Sequence, residues 1–324
     1  MTTQSIAHAE NNDPAFQEQI NLVHTALFGW PCDQLTPVDA YRACTTIHEV
    51  ALEMLDSERF RWDIRDKVGL WPRDKWVMTP YKGFDVWVNL FDSFVSFGVL
   101  HENWEEEETA FMVRCLKPGD GMIDVGANIG VYAIQAASVV GPFGKIHAFE
   151  PNKKTFEMLD RTMRANGFSE RCVLHNAGLG ASDTTGSFHL SSHATNPGSS
   201  YISVRSGGEQ VDIHRMDSIE YERPIRFIKI DVEGYEYHVI EGAKATLAAH
   251  SPTILTEFFP RSLKEIGQVC GTRYIELLES LGYRITVFST TGDRASVTPS
   301  NASQYEEITT PINLVCTRQR ATPV

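Results

Sequence analysis

The chain has 324 residues, 42% of them hydrophobic, enough for one large α/β core and a second, smaller unit. Its formal net charge of -13 repels phosphate backbones and anionic lipid surfaces, so nucleic acid is excluded as the expected partner. The opening residues hold no basic segment followed by an apolar one, and no stretch reaches the roughly 18 apolar residues of a membrane span; a cytoplasmic protein is expected.

Apolar residues at helical spacing over Pro14 to Phe28 and over Pro37 to Leu55 predict two helices, the second capped by Thr36 ahead of Pro37. Residues 1–66 therefore read as an N-terminal helical unit. All 6 tryptophans, Trp30, Trp62, Trp71, Trp76, Trp87 and Trp104, fall in the first third, which marks a boundary. From Trp76 to Leu100 the pattern turns to alternation, with Tyr81-Lys82-Gly83-Phe84 as a turn between strands. The acid run Glu105 to Glu108 then opens a helix, placed against the positive end of its dipole. Residues 67–115 thus form a β-rich bridging region and core-entry helix. Cys32, Cys44, Cys115, Cys172, Cys270 and Cys316 show no C-x-x-C pairing, and buried free thiols are expected in place of disulfides or zinc.

From Leu116 strand and helix alternate. The strands are Met122 to Val125, Lys145 to Phe149, Cys172 to Asn176, Ile225 to Ile230, Thr253 to Phe258, Tyr283 to Phe288 and Ile312 to Thr317. Helices are expected from Tyr235 to Ala249 and from Arg261 to Leu281. That order predicts an α/β, doubly wound, seven-stranded, mostly parallel sheet over 116–324, its last strand entering antiparallel beside the sixth. An inserted β-excursion, 184–213, carries a loop over the sheet edge where ligands bind in such folds.

Asp124-Val125-Gly126-Ala127-Asn128-Ile129-Gly130 follows a strand and opens a helix, so its glycines sit where the backbone turns tightly and a ligand can approach the amides. Glu150, followed by Pro151, ends the next strand, from which a carboxylate can accept both hydroxyls of an adenosine ribose. Such a turn also suits NAD, but Asp124 beside it would repel a diphosphate and attract the ammonium and sulfonium of S-adenosylmethionine. The fourth strand ends in Lys229-Ile230-Asp231-Val232-Glu233-Gly234, with Lys229 and Asp231 on one side. Asp231 and Glu233 are the acid–base candidates; Lys229 is either catalytic or the partner of Asp231 or Glu236 in an ion pair. Glu257 could join Asp231 around a divalent cation such as magnesium or calcium. In the excursion, His193 could act as a base beside His189, Asn196, Gly198 and Ser199; His238 is expected to be packed.

These blocks, MIDVGANIGVY from Met122, FEPN from Phe149, LHNAGLG from Leu174, FIKIDVEGYE from Phe227 and the glutamate of ILTEF at Glu257, resemble the FkbM family of methyltransferases over about Trp76 to Thr317. The resemblance implies the class I methyltransferase Rossmann-like fold. It also implies S-adenosylmethionine as cofactor, held by Asp124, Gly126, Ala127, Asn128, Gly130, Glu150, Pro151 and Asp231, with the Asn176-Ala177 turn beside the adenine. Glu105 matches the family's acid before the core helix and is expected near the methionine end. O-methylation rests on the same resemblance. ALFGWP and MLDSERFR are similar to a small helical domain attached to proteins of bacterial glycan assembly, which tilts the acceptor toward a sugar, glycan or glycosylated natural product. N-methylation, a NAD-type oxidoreductase and a non-catalytic cofactor-binding scaffold remain open alternatives at this point, as does the oligomeric state, a homo-oligomer included.

Overall fold

The computed structural model of the chain describes residues 14–28, 41, 49–50, 53–54, 75–191, 196–203, 207–289 and 295–318. The chain divides into two compact units, Met1–Lys75 with Asn89–Ser93 and Trp76–Val88 with Phe94–Val324. In the first unit, helix α1 spans Pro14–Phe28, the segment where the apolar spacing placed it. Most of the second helix expected there lies outside the described residues. Among the described residues no helix is long and apolar enough to cross a membrane.

The second unit takes in the hairpin of β1 (Trp76–Tyr81) and β2 (Phe84–Asn89), apart from its last residue. Lys82 and Gly83 both have positive φ, 48° and 86°, the backbone that a two-residue hairpin turn requires. Helices α2 (Val95–Leu100) and α3 (Glu106–Cys115) follow; Glu106, Glu107 and Glu108 fill the first turn of α3 and Arg114 its last, both favourable to the helix dipole.

The main sheet contains β3 (Gly121–Val125), β4 (Lys145–Phe149), β5 (Cys172–His175), β10 (Ile225–Ile230), β11 (Thr253–Phe258), β12 (Arg284–Val287) and β14 (Ile312–Thr317), each where alternation predicted a strand. Their order is β12-β14-β11-β10-β3-β4-β5, parallel from β11 to β5. Strand β14 runs antiparallel between β11 and β12. An eighth strand, β13 (Ser296–Val297), joins the edge at β12; the sequence signal of two residues was too short to announce it. Every residue of β3 is buried, as expected of a strand with helices on both faces. This is the class I methyltransferase arrangement. Helices α4 (Val131–Val140) and α5 (Lys153–Ala165) lie between β3, β4 and β5 in sequence.

Two predicted helices are each broken in two. The segment Tyr235 to Ala249 forms α6 (Glu236–Glu241) and α7 (Lys244–His250). At Gly242 a Cβ would collide with the backbone carbonyl of Gly180, so the chains approach as only glycine allows. The Gly242 carbonyl accepts from Asp217 N (2.9 Å), and the Asp217 carboxylate caps α7 through the amides of Ala245 (3.0 Å) and Thr246 (2.8 Å). The segment Arg261 to Leu281 forms α8 (Pro260–Glu265) and α9 (Gly271–Ser280), interrupted where Gln268 has φ 57°. His238 bridges that interruption, its Nε2 donating to Gly267 O at 2.9 Å, so this histidine is packed and structural.

The excursion is a separate small sheet of order β6-β9-β7-β8, formed by Gly178–Leu179, Glu209–His214, Thr184–His189 and Tyr201–Ser203 around Phe188, Ile202, Val211 and Ile213. The described cysteines Cys115, Cys172, Cys270 and Cys316 are free thiols; Cys172 and Cys316 are buried as expected, whereas Cys115 is intermediate and Cys270, in the helix break, is exposed.

Candidate functional site

The residues singled out by motif converge at the carboxyl ends of β3, β4, β10 and β11. Strand β3 ends in a turn in which Gly126 and Gly130 have φ of 80° and 92° and Asn128 has φ 50°. The amides of Gly126 and Ala127 both donate to Phe149 O, at 3.0 and 2.9 Å, which seats the turn on β4. Glu150 is 7% exposed; its Oε2 accepts from Asn128 N (2.9 Å) and its Oε1 from Asn152 N (2.8 Å). Those bonds orient the carboxylate and leave each oxygen a second lone pair. Burial raises the Glu150 carboxyl to about 7 despite the two amides. Asn176 Nδ2 donates to Glu150 O (2.9 Å) and Pro151 O (3.1 Å), clamping the Glu150-Pro151 turn from beside buried Ala177.

Asp124 is buried on β3, with Oδ2 lacking a hydrogen-bond partner among the described residues. Burial drives its carboxyl to about 7, opposed by the Lys229 ammonium and reinforced by Asp231. An orphaned carboxylate oxygen beside a glycine turn fits a ligand carrying positive charge and hydrogen-bond donors. The ammonium and ribose of S-adenosylmethionine match the donor-poor, acid-rich set Asp124 and Glu150. Glu105 joins this set from the N-terminal side of α3, where φ is 40°; its Oε2 accepts from Tyr132 Oη at 2.6 Å, and burial raises its carboxyl above the usual range.

Register explains the second half of the site. Lys229 on β10 is paired with Asp124 on β3 and with Leu255 on β11, so Asp231 and Glu257 come two residues further along the same side. Lys229 Nζ donates to Asp231 Oδ2 at 3.1 Å and lies 5.2 Å from the centre of the Tyr132 ring. Oxygens of Asp231, Glu233 and Glu257 all lie within 4.8 Å of one another, a spacing that one cation could bridge. Burial raises Glu233 to about 8 and Glu257 well above the usual carboxylate range, and the neighbouring carboxylates add to both shifts. Glu233 itself is held with φ 54°.

That strained turn has a support. Glu236, 1% exposed, accepts from Val232 N and Gly234 N, each at 3.1 Å, through Oε1. The ion pair left open between two acids is therefore Lys229–Asp231, with Glu236 serving the backbone. Replacing Glu236 by alanine strands the buried Gly234 amide and the half-buried Val232 amide and is expected to cost about 3 kcal/mol in urea unfolding; Glu236→Gln keeps the acceptor oxygen and should cost much less.

The excursion reaches the glycine turn: a Cβ on Gly198 would lie 3.5 Å from Asn128 Nδ2 and 3.6 Å from Val95 Cγ2. Asn196 Oδ1 accepts from Ser199 N, and His189 is bonded to Ser203 Oγ at 3.0 Å and stacked on Tyr201. His193 lies outside the described residues. Two residues not singled out for the site were Tyr132 and Glu236. Tyr132 closes the MIDVGANIGVY block and Glu236 closes FIKIDVEGYE, so their place in the blocks was the available signal.

The family model of the FkbM methyltransferase domain matches residues 124–285, from Asp124 into the start of β12. A comparison with curated proteins found no match. Among solved structures, the methyltransferase FkbM from Methylobacillus flagellatus KT is similar at 20% identity and a TM-score of 0.41, the match covering 62% of this chain and 44% of that one. A SAM-dependent O-methyltransferase from Thermotoga maritima is similar at 16% identity over 67% of each chain, TM-score 0.39. A precorrin-6y C5,15-methyltransferase from Geobacter metallireducens GS-15 is similar at 14% identity over 66% of this chain and 86% of that one, TM-score 0.37. The match thus spans under half the length of the Methylobacillus protein.

Proposed function

The chain belongs to the FkbM methyltransferase family, and from that premise we propose that it is an S-adenosylmethionine-dependent O-methyltransferase acting on a hydroxyl of a sugar, glycan or glycosylated natural product. The observation that carries the reading is the Asp124 carboxylate, buried with an unpartnered oxygen at a turn where Gly126 and Gly130 hold positive φ. When bound, S-adenosylmethionine supplies an electrophilic methyl group. Asp124 and Glu105 balance its positive charge, Glu150 accepts from its ribose, and Ala127, Asn128, Pro151 and the Asn176-Ala177 turn shape the surrounding wall. At the other end Asp231 takes the proton from the acceptor hydroxyl, with Glu233 and Glu257 beside it to hold the acceptor. The excursion around Asn196 and Gly198 covers the acceptor side. The N-terminal unit, 1–66, serves recruitment of acceptor or partner, and the protein works in the cytoplasm.

Isothermal titration of the full chain with S-adenosylmethionine and S-adenosylhomocysteine tests the reading. Binding of both is expected; absence of heat and of a thermal shift would remove it, and NADH binding in its place would favour an oxidoreductase. Binding without transfer to any extracted glycan, lipid or small metabolite would favour the scaffold, and label on nitrogen the N-methyltransferase.

The pH dependence has a definite sign. Asp124 ionises at about 7, so cofactor affinity should fall as pH drops from about 8 to about 6, approaching tenfold per unit below that point. The stability of the free protein moves the other way. Because the folded value exceeds the unfolded one, the cost of this buried charge is full above about 7 and vanishes as pH falls toward about 4. Asp124→Asn should weaken binding at about pH 8 and flatten its pH profile; an unchanged profile would assign the dependence elsewhere.

A further inference from the structure

Lys229 is 2% exposed, in the middle of the sheet, and its ammonium is surrounded by acids from four parts of the fold. Asp231 follows β10 and bonds it directly at 3.1 Å. Glu257 comes from β11, Glu105 from the start of α3, and Asp124 is its register partner on β3. The Tyr132 ring closes the remaining side at 5.2 Å, pinned by its own bond to Glu105. Burial alone would push the Lys229 ammonium down, but Asp231, Glu105 and Glu257 outweigh it and hold it above the usual lysine value. Withdrawing this ammonium would leave Asp231, Glu105 and Glu257 without their shared counter-charge.

Asp231, Glu233 and Glu257 crowd their oxygens within 4.8 Å, the spacing of a cation site. A divalent ion bridging Asp231 and Glu257 would lie beside an ammonium already bonded to Asp231, and like charges at such separations repel strongly in a half-buried setting. We propose that Lys229 is a positioning residue that stands in for a metal ion: its buried ammonium aims Asp231 and supplies the positive charge that these three carboxylates would otherwise take from a divalent cation. The proposal rests on the methyl-transfer reading of the Asp231 end. In that reaction the methyl passes from sulfur to the acceptor oxygen, sulfur keeps the bonding pair, and the hydroxyl proton goes to Asp231. Lys229 takes no proton and touches no reacting atom.

Mn2+ is the probe, read by the electron paramagnetic resonance of the free ion in the presence of the full chain. The wild-type protein should leave the free-ion signal unchanged, and chelator should leave the heat of S-adenosylmethionine binding unchanged. Lys229→Met, which keeps the length of the side chain, should bind one Mn2+ at least about tenfold more tightly than wild type, and the gain should disappear in Lys229→Met/Glu257→Gln. A lysine that merely filled space would not move this readout. If the methionine variant fails to fold, the wild-type titration decides: tight Mn2+ binding that Glu257→Gln removes overturns the proposal. So does a folded Lys229→Met whose Mn2+ affinity equals that of wild type. Either result leaves the methyl-transfer reading standing as long as S-adenosylmethionine binds; absence of that heat sinks the functional reading, whatever Mn2+ does.

Discussion

Gly126→Ala is expected to abolish measurable S-adenosylmethionine binding and to lower the thermal midpoint by roughly 5–10 °C. Two physical effects act together. Gly126 has φ 80°, a conformation that costs a residue with a Cβ about 1 kcal/mol or more. The added Cβ would also fall well inside van der Waals contact of the Asp231 carbonyl oxygen. That oxygen cannot yield easily, because Asp231 N donates to Val125 O at 3.0 Å and ties the ends of β3 and β10 together. Alanine must therefore part the two central strands at the point where the turn begins. The combined cost is about 3 kcal/mol, from strain and overpacking. Calorimetric titration and a melting curve check both halves. A Gly126→Ala protein that binds the cofactor as wild type does would show that the turn has no role in binding it.

Asp231→Asn is expected to reduce methyl transfer by about 10²–10⁴-fold while changing cofactor affinity only a few-fold. The amide keeps an oxygen for Lys229 Nζ, so the geometry of the pair survives while the charge that accepts a proton does not. The buried ammonium then loses its bonded counter-charge, so a drop in stability should accompany the loss of transfer. Tritium passing from methyl-labelled S-adenosylmethionine to glycans and glycosides extracted from cells measures the first effect, and titration calorimetry the second. Loss of cofactor binding with transfer retained per bound cofactor would reverse the roles given to Asp124 and Asp231.

Several elements were legible because their signals are local. The strand bounds Lys145–Phe149, Ile225–Ile230, Thr253–Phe258 and Ile312–Thr317 follow from apolar runs bounded by turn residues, and the hairpin turn from Lys82-Gly83. The two broken helices were not legible. Gly242 and Gly267 look like tolerable interior glycines until Gly180 and His238, distant in sequence, are brought against them. Likewise the cap of α7 is Asp217, far outside the window in which a capping residue is sought.

The amino-acid sequence by itself determined the order of strands and helices, the glycine turn with Asp124 before it and Glu150 after it, and the acids at the end of the fourth strand. Each of these depends on neighbours within a few positions, where side-chain periodicity and glycine conformation act. Only the tertiary structure decided that Lys229 pairs with Asp231 and leaves Glu236 to the backbone, that Tyr132 reaches Glu105, and that Glu257 stands within 4.8 Å of Asp231 and Glu233. Those choices depend on parallel register between strands separated by whole helices and on the burial that makes each charge seek the nearest partner, and neither is written in any short stretch of chain.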